Sequence, residues 1–363
     1  MIKHANRWAL PGLLLLVSLS AHAAPTPRPL PSLDPEEASA AAADYQRYCA
    51  LCHGADRAGH ANDHAPSLRS QSLLRTATPW LLREAIAYGR PGTPMGGYLD
   101  EIGGPMSLQD IRRLLLWLYA EGGSPERVPL DARPVRGDPV AGGRLYGETC
   151  AECHGARGEG GTGTALANPA MLATTPDAFL RHAIEHGRDG TPMKAFGETL
   201  SPLQIDHITA FLRSRATGGL AEPPPPVEPP ALSEAVLNPD GGAPAFEFSN
   251  GHYIVAAELD RLLREKRRLV LLDTRVASMW QIGHIEGAVP LPYYTDDAAL
   301  FQALPRDGTW IITYCECPRA AADSVNRRLR EQGFENTAVL WEGIGGWVAL
   351  GYPTVTGQVL ASE

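Results

Sequence analysis

The chain has 363 residues, too many for one comfortable hydrophobic core, so two to four domains are expected. Its 44% apolar and 20% charged residues are ordinary for a globular protein and exclude wholesale disorder. A formal net charge of −9 argues against a nucleic-acid binder, which carries a basic patch or stripe.

Lys3, His4 and Arg7 precede the apolar run Trp8 to Leu19, and Ala21-His22-Ala23 follows as a small-x-small cleavage signal. That order predicts a secretory signal peptide over residues 1–23. The apolar run is shorter than the roughly 20 residues a membrane span needs. No later stretch is long enough to cross a bilayer, so the mature chain is expected in the periplasm with no transmembrane segment. Residues 24–38 form a Pro/Ala-rich leader.

An internal repeat follows, over 39–120 and 139–216, joined by a polar connector at 121–138. YCALCHG at 48–54 matches TCAECHG at 149–155, and REAIAYGRPGTPMGGY at 83–98 matches RHAIEHGRDGTPMKAF at 181–196. SLQDIRRLLLWLY at 107–119 matches PLQIDHITAFLRS at 202–214. Each repeat reads as helix, Cys-x-x-Cys-His, long loop, helix, Thr-Pro-Met loop and a final amphipathic helix. Ile111, Leu114, Leu115 and Leu118 recur at helical spacing in that last element, as do Ile205, Ile208, Phe211 and Leu212. Residues 217–245 contain the run Pro223 to Pro226, which favours extended polyproline II and predicts a semi-rigid spacer. In 246–358 the texture changes. Leu269–Asp273, Trp310–Tyr314 and Ala338–Leu340 read as strands between amphipathic segments such as Ala320–Gln332. This alternation predicts an α/β domain with a parallel sheet. The expected architecture is multidomain, two all-α units followed by one α/β unit.

The six cysteines fall as tight pairs, Cys49/Cys52, Cys150/Cys153 and Cys315/Cys317, which make poor long-range staples. Cys-x-x-Cys-His is the attachment signature of c-type haem. The two thiols add across the porphyrin vinyl groups, and the adjoining histidine lies beneath the iron. Zinc would need two further ligands per site, which neither repeat supplies, and a thioredoxin-like motif needs a preceding strand. Two haem c groups are therefore the expected cofactors. Cys49, Cys52, Cys150 and Cys153 attach them covalently, with His53 and His154 as axial ligands. The repeat alignment selects Met95 and Met193 as the sixth ligands. Met106 competes in the first repeat but aligns with Leu200, and Met171 has no matching methionine. Pro94 and Pro192 restrict the ligand loops. His60 and His64 stand as alternative ligands, while His182, His186 and His207 read as surface or supporting residues. His/Met ligation closes the iron to substrate and suits electron transfer.

These residues resemble the small cytochromes c over about 39–120 and 139–216. The resemblance implies His53 and His154 as proximal ligands, Met95 and Met193 as distal ones, and an electron-carrying role.

In the third unit Cys315 sits directly after a strand and before a helix. Such a loop and helix N-terminus stabilise an anion, including a thiolate or persulfide, and lower a cysteine pKa. The alternative is a buried or disulfide-bonded pair, since a reduced thiol is not the default outside the cytoplasm. Residues 250–357 resemble a rhodanese (sulfurtransferase-like) domain through Leu272-Asp273-Thr274-Arg275, Gly283-His284-Ile285-Glu286-Gly287-Ala288, Tyr314-Cys315 and Gly345-Gly346-Trp347. The active loop departs from the family pattern Cys-x-x-Gly-x-Arg and reads Cys315-Glu316-Cys317-Pro318-Arg319-Ala320. Proline removes a backbone donor and Glu316 repels an anionic donor, which argues against thiosulfate turnover. Cys317 is placed to resolve a persulfide on Cys315 or to form a disulfide with it. Arg319 is the side chain expected to offset a negative sulfur species.

The combined expectation is a dihaem electron carrier coupled to sulfane-sulfur or thiol redox chemistry at Cys315. Its expected partners are other periplasmic redox proteins (cytochromes or a terminal oxidase or reductase) and small inorganic sulfur compounds. Two alternatives stand beside it. One is a plain carrier with a non-catalytic docking or sensing domain, and the other is an independent sulfurtransferase module.

Overall fold

A computed structural model describes residues 30–59, 62, 64–216, 225–295, 302–316 and 319–357. The predicted signal peptide, His60, Cys317 and the start of the proline run lie outside the described residues. Among those described, no helix is long and apolar enough to cross a membrane.

The first repeat consists of α1 (Pro35–Tyr48), α2 (Ala50–His53), α3 (Gln71–Thr76), α4 (Pro79–Ala87) and α5 (Leu108–Glu121). The second has α6 (Pro139–Thr149), α7 (Ala151–His154), α8 (Pro169–Thr174), α9 (Asp177–His186) and α10 (Pro202–Ser214) in the same order. Local chemistry explains the starts. Asp34 with Glu37, Ser107 with Asp110 and Ser201 with Gln204 form capping boxes at α1, α5 and α10. The outer helices of each repeat pack together, α1 on α5 and α6 on α10. Gly142 permits the second crossing, because a Cβ there would lie 1.9 Å from the His207 carbonyl oxygen.

The connector is bound, not free. The buried pair Arg181–Asp206 reaches it, with Arg181 Nη1 donating to the Asp131 carbonyl and Arg133 Nη1 to Asp206. Leu130 packs on an apolar cluster shared by the repeats, formed by Ala77 and Leu81 with Met171, Leu172, Phe179 and Leu180.

The third unit is a mostly parallel sheet. Its strands are β1 (Val236–Leu237), β2 (Tyr253–Ile254), β3 (Leu269–Asp273), β4 (Val289–Pro290), β5 (Trp310–Tyr314) and β6 (Thr337–Leu340). The order is β1-β3-β5-β6-β2, with β4 also on β3 and only β1 antiparallel. Alternation along β3 sends Leu269 and Leu271 to one face and Val270 and Leu272 to the other. Helices α11 (Ala256–Arg264) and α14 (Gly343–Ala349) cover the first face, and α13 (Ala320–Glu331) covers the second; α12 (Ala277–Ile282) follows β3. Both faces are therefore buried, as a continuous apolar run such as LVLLD requires. β1 lies inside the segment expected to be spacer. Extended, proline-adjacent chain also suits a short edge strand, and pairing with β3 decides between the two.

Candidate haem and cysteine sites

The two Cys-x-x-Cys-His segments are built alike. Cys49 and Cys150 each end the preceding helix, donating to the Tyr45 and Tyr146 carbonyls. Each tyrosine hydroxyl then donates back across the motif, Tyr45 to the Gly54 carbonyl at 2.6 Å and Tyr146 to that of Gly155 at 2.9 Å. Gly54 and Gly155 both turn the chain at φ 80°.

His53 Nδ1 lies 2.8 Å from the Pro66 carbonyl oxygen, and His154 Nδ1 lies 2.8 Å from that of Thr164. A carbonyl only accepts, so each ring places its proton on Nδ1 and leaves Nε2 as a lone-pair donor. Burial lowers the His53 pKa and keeps the ring neutral, the form that binds iron. Burial pushes the Cys49 thiol up to about 12 and the Cys150 thiol up to about 11. Such thiols are poor thiolates, unlike those of a dithiol redox motif. Cys49, Cys150 and Cys153 form no disulfide.

The Thr-Pro-Met loops repeat the same hydrogen bonds. Arg90 N donates to the Met95 carbonyl at 2.7 Å, and Arg188 N to that of Met193 at 2.9 Å. Thr93 Oγ1 donates to the Arg90 carbonyl and accepts from Met95 N; Thr191 does the same between Arg188 and Met193. Met95 packs on the apolar cluster that holds Cys49, and Met193 on the one that holds Cys150. Met106 is buried in the first core, and Met171 lies in the cluster between the repeats.

Sequence reasoning missed Arg90 and Arg188, one residue after the glycine in both Gly-Arg pairs. Burial lowers each guanidinium to about 10, with Asp189 partly offsetting the effect at Arg188. Arg188 is directed to the first repeat, with Nη1 donating to the Ser72 carbonyl and its guanidinium over the Phe179 ring. Two thiols, a neutral imidazole and a thioether fit haem c. Among the described residues, no group of three or more His, Cys, Asp or Glu side chains could hold a metal by itself.

In the third unit Cys315 is buried at the end of β5. Its Sγ lies 3.4 Å from Ala322 N in the first turn of α13, and Ile344 N donates to its carbonyl. Below it Arg275 pairs with Asp273 (Nη2 to Oδ2, 2.6 Å), and Tyr314 Oη donates to the same carboxylate at 3.0 Å. His284 stacks on Trp280 with its Nδ1 on the Trp280 carbonyl, and burial lowers its pKa. These groups brace the strand end. Arg319 is turned onto an aromatic shelf. Its guanidinium lies 3.9 Å above the Trp341 ring and 4.9 Å from Tyr253, and Nη1 donates to the Trp341 carbonyl. Glu316 faces Arg275, at 3.9 Å.

Residues 36–118 and 137–212 match the family described as cytochrome c oxidase, cbb3-type, subunit III, and residues 255–350 match the rhodanese-like domain. The chain is a pair of cytochrome c domains followed by a rhodanese-like domain. Two similar curated proteins are cbb3-type cytochrome c oxidase subunits FixP. That of Azorhizobium caulinodans is 27% identical over 177 residues, covering 47% of this chain and 57% of the relative. That of Bradyrhizobium sp. is 28% identical over 178 residues, covering 47% and 58%. A subunit CcoP from Azospirillum sp. is 38% identical over 96 residues, 23% of this chain and 32% of that protein. The cytochrome–rhodanese chain thus spans just over half the length of the FixP relatives. Among solved structures, a rhodanese-like domain from Anabaena sp. is 25% identical, covering 31% of this chain and 86% of that one, with a TM-score of 0.28. A chain of the Kuenenia stuttgartiensis reducing HAO-like protein complex is 18% identical, covering 51% and 98%, with a TM-score of 0.33.

Proposed function

We propose that the chain is a periplasmic dihaem cytochrome that takes electrons from sulfur chemistry at Cys315 and passes them to a terminal oxidase or another redox protein. The observation that carries this reading is the course of α13. The helix begins at the Cys315 loop and packs against α2, the helix that carries Cys52 and His53. Twelve helical residues span about 18 Å, so one rigid element joins the sulfur loop to the first attachment site. The oxidase partner rests on the FixP and CcoP relatives, and the periplasmic placement on the leader pattern of residues 1–23.

The chemistry balances over two electrons. Oxidation of Cys315 and Cys317 breaks two S–H bonds, forms one S–S bond and releases two protons and two electrons. Hydrosulfide then attacks Cys315 sulfur, leaving a persulfide there and a thiolate on Cys317. An acceptor thiol removes the sulfane sulfur. Bound haem supplies one-electron exchange between ferric and ferrous iron, and two such sites match the two electrons.

Stopped-flow mixing of the oxidised full chain with hydrosulfide or polysulfide tests this. Cys315→Ser is expected to slow haem reduction by at least about ten-fold. Equal rates in the variant would sink the coupling. Cyanide-dependent thiocyanate formation that persists alongside equal rates would instead favour an independent sulfurtransferase.

A further inference from the structure

We infer that the two haem sites are not equivalent: the rhodanese-like domain is seated over the exchange edge of the first cytochrome domain, and electrons leave the molecule through the second. The inference rests on both repeats holding haem, as proposed above.

A group bonded to Cys52 and ligated by Met95 is bracketed by α2 and the methionine loop. Both are covered in the first repeat. Val276 and Met279 of the rhodanese-like domain join the apolar cluster of Tyr48, Tyr98 and Met106, against which Met95 and Cys49 pack. Ser278 Oγ donates to the Gly97 carbonyl. Tyr293 shares a 2.9 Å hydroxyl–hydroxyl bond with Tyr98 and donates to the carbonyl of Tyr48, which precedes Cys49. The Tyr294 ring meets that of Tyr48 edge-on at 5.0 Å. Helix α13 closes over α2.

The aligned positions of the second repeat lie open. Gly96 and Gly97 are buried after Met95, whereas Lys194 and Ala195 after Met193 are exposed. Leu51 and Cys52 are half-buried on α2, whereas Glu152 and Cys153 on α7 are exposed. The Gly96/Lys194 difference has a steric cause. A Cβ on Gly96 would lie 2.8 Å from Met279 Cγ and 3.1 Å from Val276 Cβ, so any side chain there forces the docked domain's side chains to shift. The second repeat carries an exposed lysine there, whose ammonium lies over the Phe196 ring of its own repeat.

The test uses the full-length protein loaded with haem and a soluble blue-copper protein as probe, whose absorption is separate from that of haem. A haem count of two per chain, with about half of the near-infrared Fe–S(Met) band lost in each of Met95→His and Met193→His and all of it in the double variant, first establishes the sites. Failure there defeats the dihaem reading itself, separately from the asymmetry. Histidine in place of either methionine lowers that haem's potential and removes it from exchange with the probe. Met193→His is expected to slow exchange about ten-fold more than Met95→His. Adding Gly96→Lys to Met193→His wedges the domains apart and restores the lost rate. Equal losses, or the larger loss in Met95→His, overturn the asymmetry.

Amide hydrogen exchange gives a readout independent of electron transfer. Gly96→Lys should speed exchange in 276–279 and 293–295, and unchanged protection in a folded variant counts against the docking. Should that variant not fold, Val276→Ala with Met279→Ala loosens the same contact without a clash, and the same two outcomes decide.

Discussion

Asp189→Ala tests how the two cytochrome domains hold each other. Asp189 belongs to the second repeat, but its carboxylate accepts from Ser70 Oγ (2.8 Å), Gln71 N (2.9 Å) and Ser72 N (2.7 Å) of the first. It therefore caps α3, whose first N–H groups have no partner within the helix. The aligned residue of the first repeat is Pro91, whose carbonyl accepts from Asn168, the N-cap of α8. The clamp is reciprocal, with the shared apolar cluster between its arms. Hydrogen bonds to a charged group reach about 1.5–3 kcal/mol each. Asp189 is exposed, however, and Ser70 still caps Leu73 N after the substitution. The helix-cap scale of about 1–2 kcal/mol is the appropriate one. That corresponds to roughly a 5–30-fold shift from docked toward opened repeats.

The same carboxylate sets a pH window. Burial alone would raise its pKa, but the hydrogen bonds from Ser72, Gln71 and Ser70 outweigh it and hold the carboxyl well below the usual range. A depressed folded pKa gives stability that is fully present above the unfolded value of about 3.9 and is lost as pH falls through the folded one. Hydrogen exchange of residues 70–76, corrected for intrinsic rates, is the assay. Asp189→Ala should exchange faster than the parent at pH 7, and the parent should hold its protection until the pH drops below about 4. Unchanged exchange at neutral pH in the variant would refute the clamp. Loosening of the parent already between about pH 6 and 5 would point to a histidine instead.

Asp206→Ala leaves the Arg181 guanidinium buried without its carboxylate and cuts the tie to Arg133 of the connector. Breaking such a buried pair costs about 3–5 kcal/mol, and urea unfolding followed at the second repeat should show it; a loss below about 1 kcal/mol would contradict the assignment. Arg90→Leu and Arg188→Leu should each lower the potential of a haem held in their own repeat, because a half-buried cation favours the less positive ferrous state. A change of 1.4 kcal/mol corresponds to about 59 mV for one electron, so spectroelectrochemistry resolves the effect, and an unchanged or higher potential would exclude that electrostatic influence.

Local chemistry was legible in the sequence, and long-range packing was not. The Cys-x-x-Cys-His motif, the Thr-Pro-Met loop and the double-faced strand LVLLD carry their reasons within a few residues. Periodicity and spacing therefore located the repeats and the α/β unit. The proline composition of 217–245 forecast an extended chain, but the pairing of Val236 and Leu237 with β3 depends on residues far along the sequence. Val227 is likewise held in place by Gln281, which bonds both its N–H and its carbonyl. Arg319 follows Cys315 closely in sequence, yet its planar cation finds Trp341 and Tyr253, a shelf built by distant strands. Arg90 and Arg188 gave a faint signal, the Gly-Arg pair in both repeats, but the course of Arg188 to the Ser72 carbonyl of the other repeat depends on residues far along the chain.

The internal repeat supplies its own control for separating ligation from packing. Where the two copies agree, the geometry is local: Tyr45 and Tyr146 brace the motif, the imidazoles donate to loop carbonyls, and the threonines tie the methionine loops. Where they disagree, the difference follows what lies outside the repeat. Asp189 stands at the matching position of Pro91 and accepts from the first two N–H groups of α3, Gln71 and Ser72. Lys194 replaces the matching Gly96 because Met279 and Val276 occupy only the first site. A haem-binding unit alone would demand neither change, so both are marks of neighbours. Read together they order the molecule: the rhodanese-like domain on the first cytochrome domain, the first clamped to the second, and the second open to solvent at Cys153 and Lys194. A merely tethered rhodanese-like domain would leave Gly96 as free to carry a side chain as position 194 is, and the contacts of Met279 and Val276 deny that freedom.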